Sequence, residues 1–263
     1  MYSSLWLIPL AFLPEGPARA LLLLSGFFLG MPHGGVDLPL GRRLGYPFWA
    51  FIAAYLALAT LPLLLLFLSP PSALCAFLLL ALYHWGRVEG RGPLGYLRAG
   101  MVLGFPFLFH AAEIRNFLEN FSKGWSPPPW AVLLTLGLLL ALSLLSSRPL
   151  GDWLDTFFLG FFLWLAHPYA GVAGYFLFQH SLRSLQLVGI RGGERREVYL
   201  ATLGGLLLAV LLYPTSADPL AAYMGAVFAL TLPHTLTMEL WLRRCPTLDP
   251  PPGPSRRSPL PGR

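Results

Sequence analysis

Six histidines stand in a chain where polar side chains are scarce: His33, His84, His110, His167, His180 and His234. Four have an acid three to five residues further on, pairing His33 with Asp37, His84 with Glu89, His110 with Glu113 and His234 with Glu239. Residues three or four apart share a helix face. A carboxylate placed there accepts one ring N–H, fixes the tautomer and leaves the other nitrogen for a metal. The offset of five in the His84 and His234 pairs makes those two the weaker. Imidazoles without thiolates suit zinc or non-haem iron, and spacing alone does not choose between them. The chain lacks the HExxH motif of zincin proteases. It also lacks the HxxxH and HxxHH boxes that a membrane di-iron desaturase or hydroxylase needs.

The elements that must position these residues are membrane helices. Only 11% of the side chains are charged and 56% are hydrophobic, against about a quarter charged in an ordinary soluble domain. The mean hydropathy is +0.62. A hydrocarbon core of about 30 Å needs roughly 20 apolar residues per helix. Spans read near 19–38, 47–68, 72–88, 98–119, 130–147, 152–166, 168–189, 197–213 and 219–242. The expected fold is therefore all-α, a polytopic integral membrane bundle of about eight or nine helices. Residues 1–245 would form a single transmembrane domain, and the Pro- and Arg-rich stretch 246–263 a disordered cytoplasmic tail. Breaks fall at Ser69-Pro-Pro-Ser72, Ser126-Pro-Pro-Pro129, His167-Pro168 and Pro214-Thr-Ser216. The Leu5–Leu13 run is too short to cross and is expected at the interface, with no cleaved signal peptide. Gly26-Phe-Phe-Leu-Gly30 fits a close-packing motif.

The formal charge of +6 does not point to nucleic acid, because 17 of the 18 cations are arginines scattered through short turns. They report topology instead. Arg42, Arg43, Arg87, Arg91, Arg98, Arg148, Arg183, Arg191, Arg195, Arg196, Arg243, Arg244 and the three tail arginines make 15 of the 18. Turns bearing them are expected on the cytoplasmic side of the inner membrane, with the N-terminus outside and the C-terminus inside. Cys75 and Cys245 then fall on opposite faces and cannot pair. At 1.5 Å rise per residue, His33, His84, His180 and His234 lie in the cytoplasmic half and could share one metal. His110 is near or past the middle, an alternative fourth ligand, and His167 is a structural residue at the outer turn.

Pro32-His-Gly-Gly-Val-Asp37, Tyr83-His-Trp-Gly-Arg-Val-Glu89, Phe109-His110, His167-Pro168 through Tyr175-Phe-Leu-Phe-Gln-His-Ser-Leu-Arg183, and Leu232-Pro-His234 follow one another in order. Together they resemble the Brp/Blh family of β-carotene 15,15′-dioxygenases over about residues 30–240. The resemblance implies an integral membrane enzyme that uses ferrous iron and O2 to cleave the central double bond of β-carotene into two retinals. It implies His33, His84 and His180 as iron ligands; Asp37, Glu89, Glu113 and Glu239, by their spacing from the histidines, are the acids expected to orient imidazoles. The chain departs from the family's WHSxRH motif in having Gln179 for the Trp and Ser184 for the second His. His234, or the less well placed His110, would then complete a four-imidazole site.

Since the metal is placed below the midplane, the polyene is expected to arrive laterally between helices and lie oblique or in-plane near the inner leaflet. Its partners would be a lipophilic carotenoid, O2 and membrane lipid, with a functional link to a retinal-binding rhodopsin. Two other readings remain open at this point: cleavage of a different carotenoid, and a non-catalytic carotenoid-binding or rhodopsin-assembly partner, which the replacement by Ser184 would favour.

Overall fold

The computed structural model describes residues 3–216 and 218–244. The expected tail, 246–263, and Cys245 lie outside the described residues. Among these residues the fold is helical, without strands. After a 3-10 helix at Ser3–Phe12, the main helices are α1 (Glu15–Arg43), α2 (Phe48–Leu68), α3 (Pro70–Glu89), α4 (Pro93–Phe109), a short α5 (Arg115–Ser122), α6 (Pro129–Leu144), α7 (Leu150–Leu165), α8 (168–188), α9 (Gly192–Ser216) and α10 (Pro219–Arg244). Proline at the first or second position starts α3, α4, α6, α8 and α10, where its missing amide costs no hydrogen bond. Gly90, at φ 65°, caps α3 in the left-handed conformation and lets the chain turn back into α4.

Four helices, α1, α2, α9 and α10, are long and apolar enough to cross a membrane; α4 and α6 are apolar but shorter. Length and composition thus single out four spans among the described helices, fewer than the eight or nine expected. Apolar surface is spread over the outside: along α2 only Ala59 and Pro62 are buried, and along α6 only Ser143. A helix that exposes leucines all round is solvated by lipid rather than by water. By contrast α10 is mostly buried and packs on α2, α3 and α9.

The arginine-bearing ends of the helices gather on one side. There Arg42 pairs with Glu197, Arg43 with Glu194, and Arg87 with Glu239 at 3.3 Å. At the other end Arg19 meets Asp218 at 2.5 Å, tying the start of α1 to the start of α10.

Three sequence expectations need correction. The span read at 98–119 is two elements, because α4 stops at Phe109 just after Pro106 and a turn precedes α5. The Leu5–Leu13 run, expected at the interface, packs lengthwise along the bundle. The 3-10 helix packs along α7, with Ser4 and Leu7 buried and the Ser4 amide donating to Asp155 Oδ1 at 2.8 Å, near the arginine-bearing end. Arg98 is not a loop cation either: it sits inside α4 at 1% exposure.

Candidate metal centre

Four helices each deliver one imidazole to a common point: α1 gives His33, α3 His84, α8 His180 and α10 His234, all buried. Ring centroids are 5.0 Å apart for His33 and His234, 4.6 Å for His84 and His234, 5.0 Å for His84 and His180, and 5.1 Å for His33 and His180. The rings thus form a closed quadrilateral. One ligand nitrogen each from His33, His84 and His234 lies within 4.8 Å of the other two; His180 is outside that nitrogen group and joins it through its ring, beside His33 and His84.

The helices deliver these rings through local irregularities. In α1 a π-turn, Gly26–Gly30, precedes Pro32-His33; in α8 another, Phe176–Ser181, contains His180. Such i→i+5 turns occur mostly as single-turn bulges, often at functional sites. The two π-turns touch, and glycine permits it: a Cβ on Gly30 would stand 2.6 Å from the Phe176 ring, and one on Gly26 2.3 Å from Tyr223. The Gly26/Gly30 pair therefore serves close packing, as its spacing implied.

Hydrogen bonding leaves several ring nitrogens free for a cation. Both carboxylate oxygens of Asp37 lie 2.9 Å from His234 Nδ1, whose N–H donates to them, and Asp37 also accepts from the Tyr55 hydroxyl at 2.7 Å. His234 Nε2 then carries a lone pair, 3.1 Å from His84 Nε2. For metal–nitrogen bonds of about 2.0–2.1 Å, neighbouring ligand atoms stand roughly 3–3.4 Å apart, so this spacing suits a shared ion. His33 Nδ1 is 3.4 Å from Ser181 Oγ. Both nitrogens of His180 are buried and have no hydrogen-bond partner among the described residues. A buried unpartnered imidazole requires an explanation; an electron-pair acceptor among the rings would engage one of its two nitrogens.

The acids fall differently from their sequence pairing. Asp37 serves His234 and not His33, because the helix is interrupted at Val36 (ψ −12°) and Asp37 begins a new helical segment. Glu89 accepts from the Tyr175 hydroxyl at 3.0 Å and lies 3.4 Å from Arg98 Nε rather than turning to His84. Glu239 pairs with Arg87 and Arg243 at the surface. Glu113 lies 3.6 Å from His110 Nδ1, the other nitrogen of which is 3.3 Å from the Leu163 carbonyl. His110 therefore caps α4 far from the four rings, and His167 caps the start of α8, its Nδ1 accepting from the Tyr169 amide. Tyr55, Arg98 and Tyr175 were not legible as site residues, since their roles depend on contacts between helices.

His33, His84 and His234 line a cavity of about 610 Å³. Its walls are apolar apart from the histidines, Asp37, Tyr55, Thr60 and Thr231. Phe48 and Leu56 on α2 and Leu200, Leu207 and Leu211 on α9 ring its mouth, each more than half exposed. Trp85 and Phe176 pack against His180, with centroids 5.3 and 5.8 Å away.

The described residues thus form an all-helical bundle with apolar helices long enough to span a membrane and a buried cluster of imidazoles beside an apolar cavity. The sequence comparisons agree: the family model for beta-carotene 15,15′-dioxygenase matches residues 24–242, and the chain belongs to that family. A beta-carotene 15,15′-dioxygenase from an uncultured marine bacterium, 66A03, is 25% identical over 182 residues. That match covers 61% of this chain and 66% of the relative, just under two thirds of its length. No solved structure matches the chain.

Proposed function

We propose that the protein is a multi-pass membrane dioxygenase that holds ferrous iron on His33, His84, His180 and His234 and splits the central 15,15′ double bond of β-carotene with O2 into two retinals. Family membership supports carotenoid cleavage. The observation that carries the reading is the convergence of His33, His84 and His234 at the wall of an apolar cavity, with the buried His180 ring packed against two of them. The arginine-bearing end would face the cytoplasm, which puts the centre in the cytoplasmic half of the bilayer.

Bound iron would supply O2 activation, and the overall change balances without an external reductant: one C=C and one O2 give two C=O groups. The chain's own residues bind, orient and exclude water. Neutral imidazoles leave the ion its charge, while Asp37 keeps the Nδ1 proton of His234 in place and so aims Nε2 inward. Trp85 and Phe176 close the site against water around His180. The opening between α2 and α9 faces lipid, so an apolar polyene would pass sideways from the inner leaflet, without crossing water, and come to lie obliquely beneath the rings. The retinal product would be available to a retinal-binding rhodopsin.

In this reading Ser184 does not prevent catalysis. It is fully buried with an unpartnered hydroxyl, yet His234 fills the fourth corner of the quadrilateral. Expression in cells that accumulate β-carotene tests the reading: wild type should bleach the cells and yield retinal, and His84→Ala should do neither. Orange cells with well-inserted wild-type protein would overturn the enzymatic reading, and apocarotenals from off-centre cleavage would overturn the choice of bond.

A further inference from the structure

The bundle carries a second buried polar cluster that supplies no ring to the metal centre. Arg98 lies inside α4 at 1% exposure. Its guanidinium donates to Gln179 Oε1 at 2.6 Å, to Ser4 Oγ at 3.3 Å and to Thr156 Oγ1 at 3.4 Å, and it lies 3.4 Å from Glu89 and 3.3 Å from Asp155. Gln179 completes the loop by donating to Ser4 Oγ at 2.8 Å. Glu89 accepts from the Tyr175 hydroxyl, and Arg91 reaches Asp155 at 3.0 Å.

A guanidinium deep in an apolar bundle is costly, and well-packed apolar residues would often serve stability as well. What this one holds is the segment that presents His180. Gln179 is the residue before His180, and Tyr175 lies five residues before it. The π-turn Phe176–Ser181 stacks the Tyr175 and His180 rings, centroids 6.5 Å apart and planes 19° apart. The cluster therefore holds that turn at two points, Tyr175 just before it and Gln179 within it. His180 itself has no hydrogen bond to hold its orientation, unlike His234 on Asp37. Its direction must come from the backbone turn that bears it and from the rings stacked on it.

We infer that Arg98, Gln179, Glu89 and Tyr175 are positioning residues that fix the rotation of the 176–181 π-turn, so that His180 faces the other three imidazoles. This rests on the metal reading above.

The test loads detergent-purified protein with Co(II) and records both the affinity and the visible absorption of the bound ion, neither of which needs carotenoid turnover. Gln179→Met keeps the volume and loses both hydrogen bonds. It should lower Co(II) affinity about 10- to 100-fold, the range for residues that orient ligands, and alter the absorption bands. Tyr175→Phe, a milder change that keeps the ring on His180, should shift affinity the same way by less, and it decides the matter if Gln179→Met does not assemble. Gln179→Glu keeps an acceptor for Arg98 and should recover most of the affinity. Variants identical to wild type in affinity and spectrum would overturn this inference alone. Wild type that takes up no Co(II) would overturn the metal reading and this inference with it.

Discussion

Both carboxylate oxygens of Asp37 lie 2.9 Å from Nδ1 of His234, across 197 residues of chain. This contact joins α1 to α10 at the base of the cavity and fixes which nitrogen of His234 faces His84. Asp37→Asn leaves a neutral amide in place of the charged acceptor. Metal affinity should fall about 10- to 100-fold, and Tyr55→Phe, which removes one of the hydrogen bonds on Asp37, should cost less. Metal titration of the purified variants checks both, and an unchanged affinity in Asp37→Asn would contradict the assignment.

Single alanine substitutions should separate the six histidines into two groups. Retinal formation should drop to background for His33, His84, His180 and His234, and persist for His110 and His167, which cap helices at the far end of the bundle. Chromatography of extracts from carotene-producing cells is the readout. Loss of activity in His110→Ala with protein level maintained would bring that residue back as a ligand.

The shared depth of the clustered histidines is legible in the sequence because arginines mark one end of their helices, and counting back from them gives depth. Their partner acids are not. Local spacing pairs an acid with the nearest histidine, whereas a bundle pairs groups between helices, so Glu89 turns to Tyr175 and Glu239 to Arg87. Arg98 was counted among the surface cations for the same reason: nothing in its neighbours in sequence reveals that α4 buries it against Ser4 and Gln179. The π-turns leave no period in the sequence, though the glycines that let them touch do stand out.

Those glycines carry a stability prediction. A Cβ on Gly30 would stand 2.6 Å from Phe176, 3.0 Å from the Ser25 carbonyl and 3.1 Å from the Tyr223 hydroxyl. Gly30→Ala should therefore destabilise by about 1–3 kcal/mol through overpacking, seen as a lower Tm in detergent. An unchanged Tm would mean the two π-turns are not in contact.

Gly204 lines the cavity on α9, and a Cβ there would meet nothing within 4 Å. Gly204→Phe should fill the passage between α2 and α9 without disturbing the helix. It should raise KM for carotenoid about tenfold, equivalent to roughly 1.4 kcal/mol, with kcat little changed, the signature of lost ground-state binding. Kinetics in mixed micelles measure the split, and a fall in kcat at constant KM would contradict lateral passage.

Ser184→Ala removes a buried hydroxyl that has no partner among the described residues. Such a change is close to neutral for stability, and it should leave metal content and retinal yield as in wild type. A loss of bound metal would assign Ser184 a part that the four imidazoles were thought to fill.

The most direct measurement is anaerobic titration of the purified protein with Fe(II), followed by metal analysis after desalting. The account requires about one iron per chain in wild type, as expected for one cluster of imidazole ligands, and essentially none in His84→Ala. Wild type that retains no iron, or a His84→Ala variant that retains as much as wild type, would contradict it.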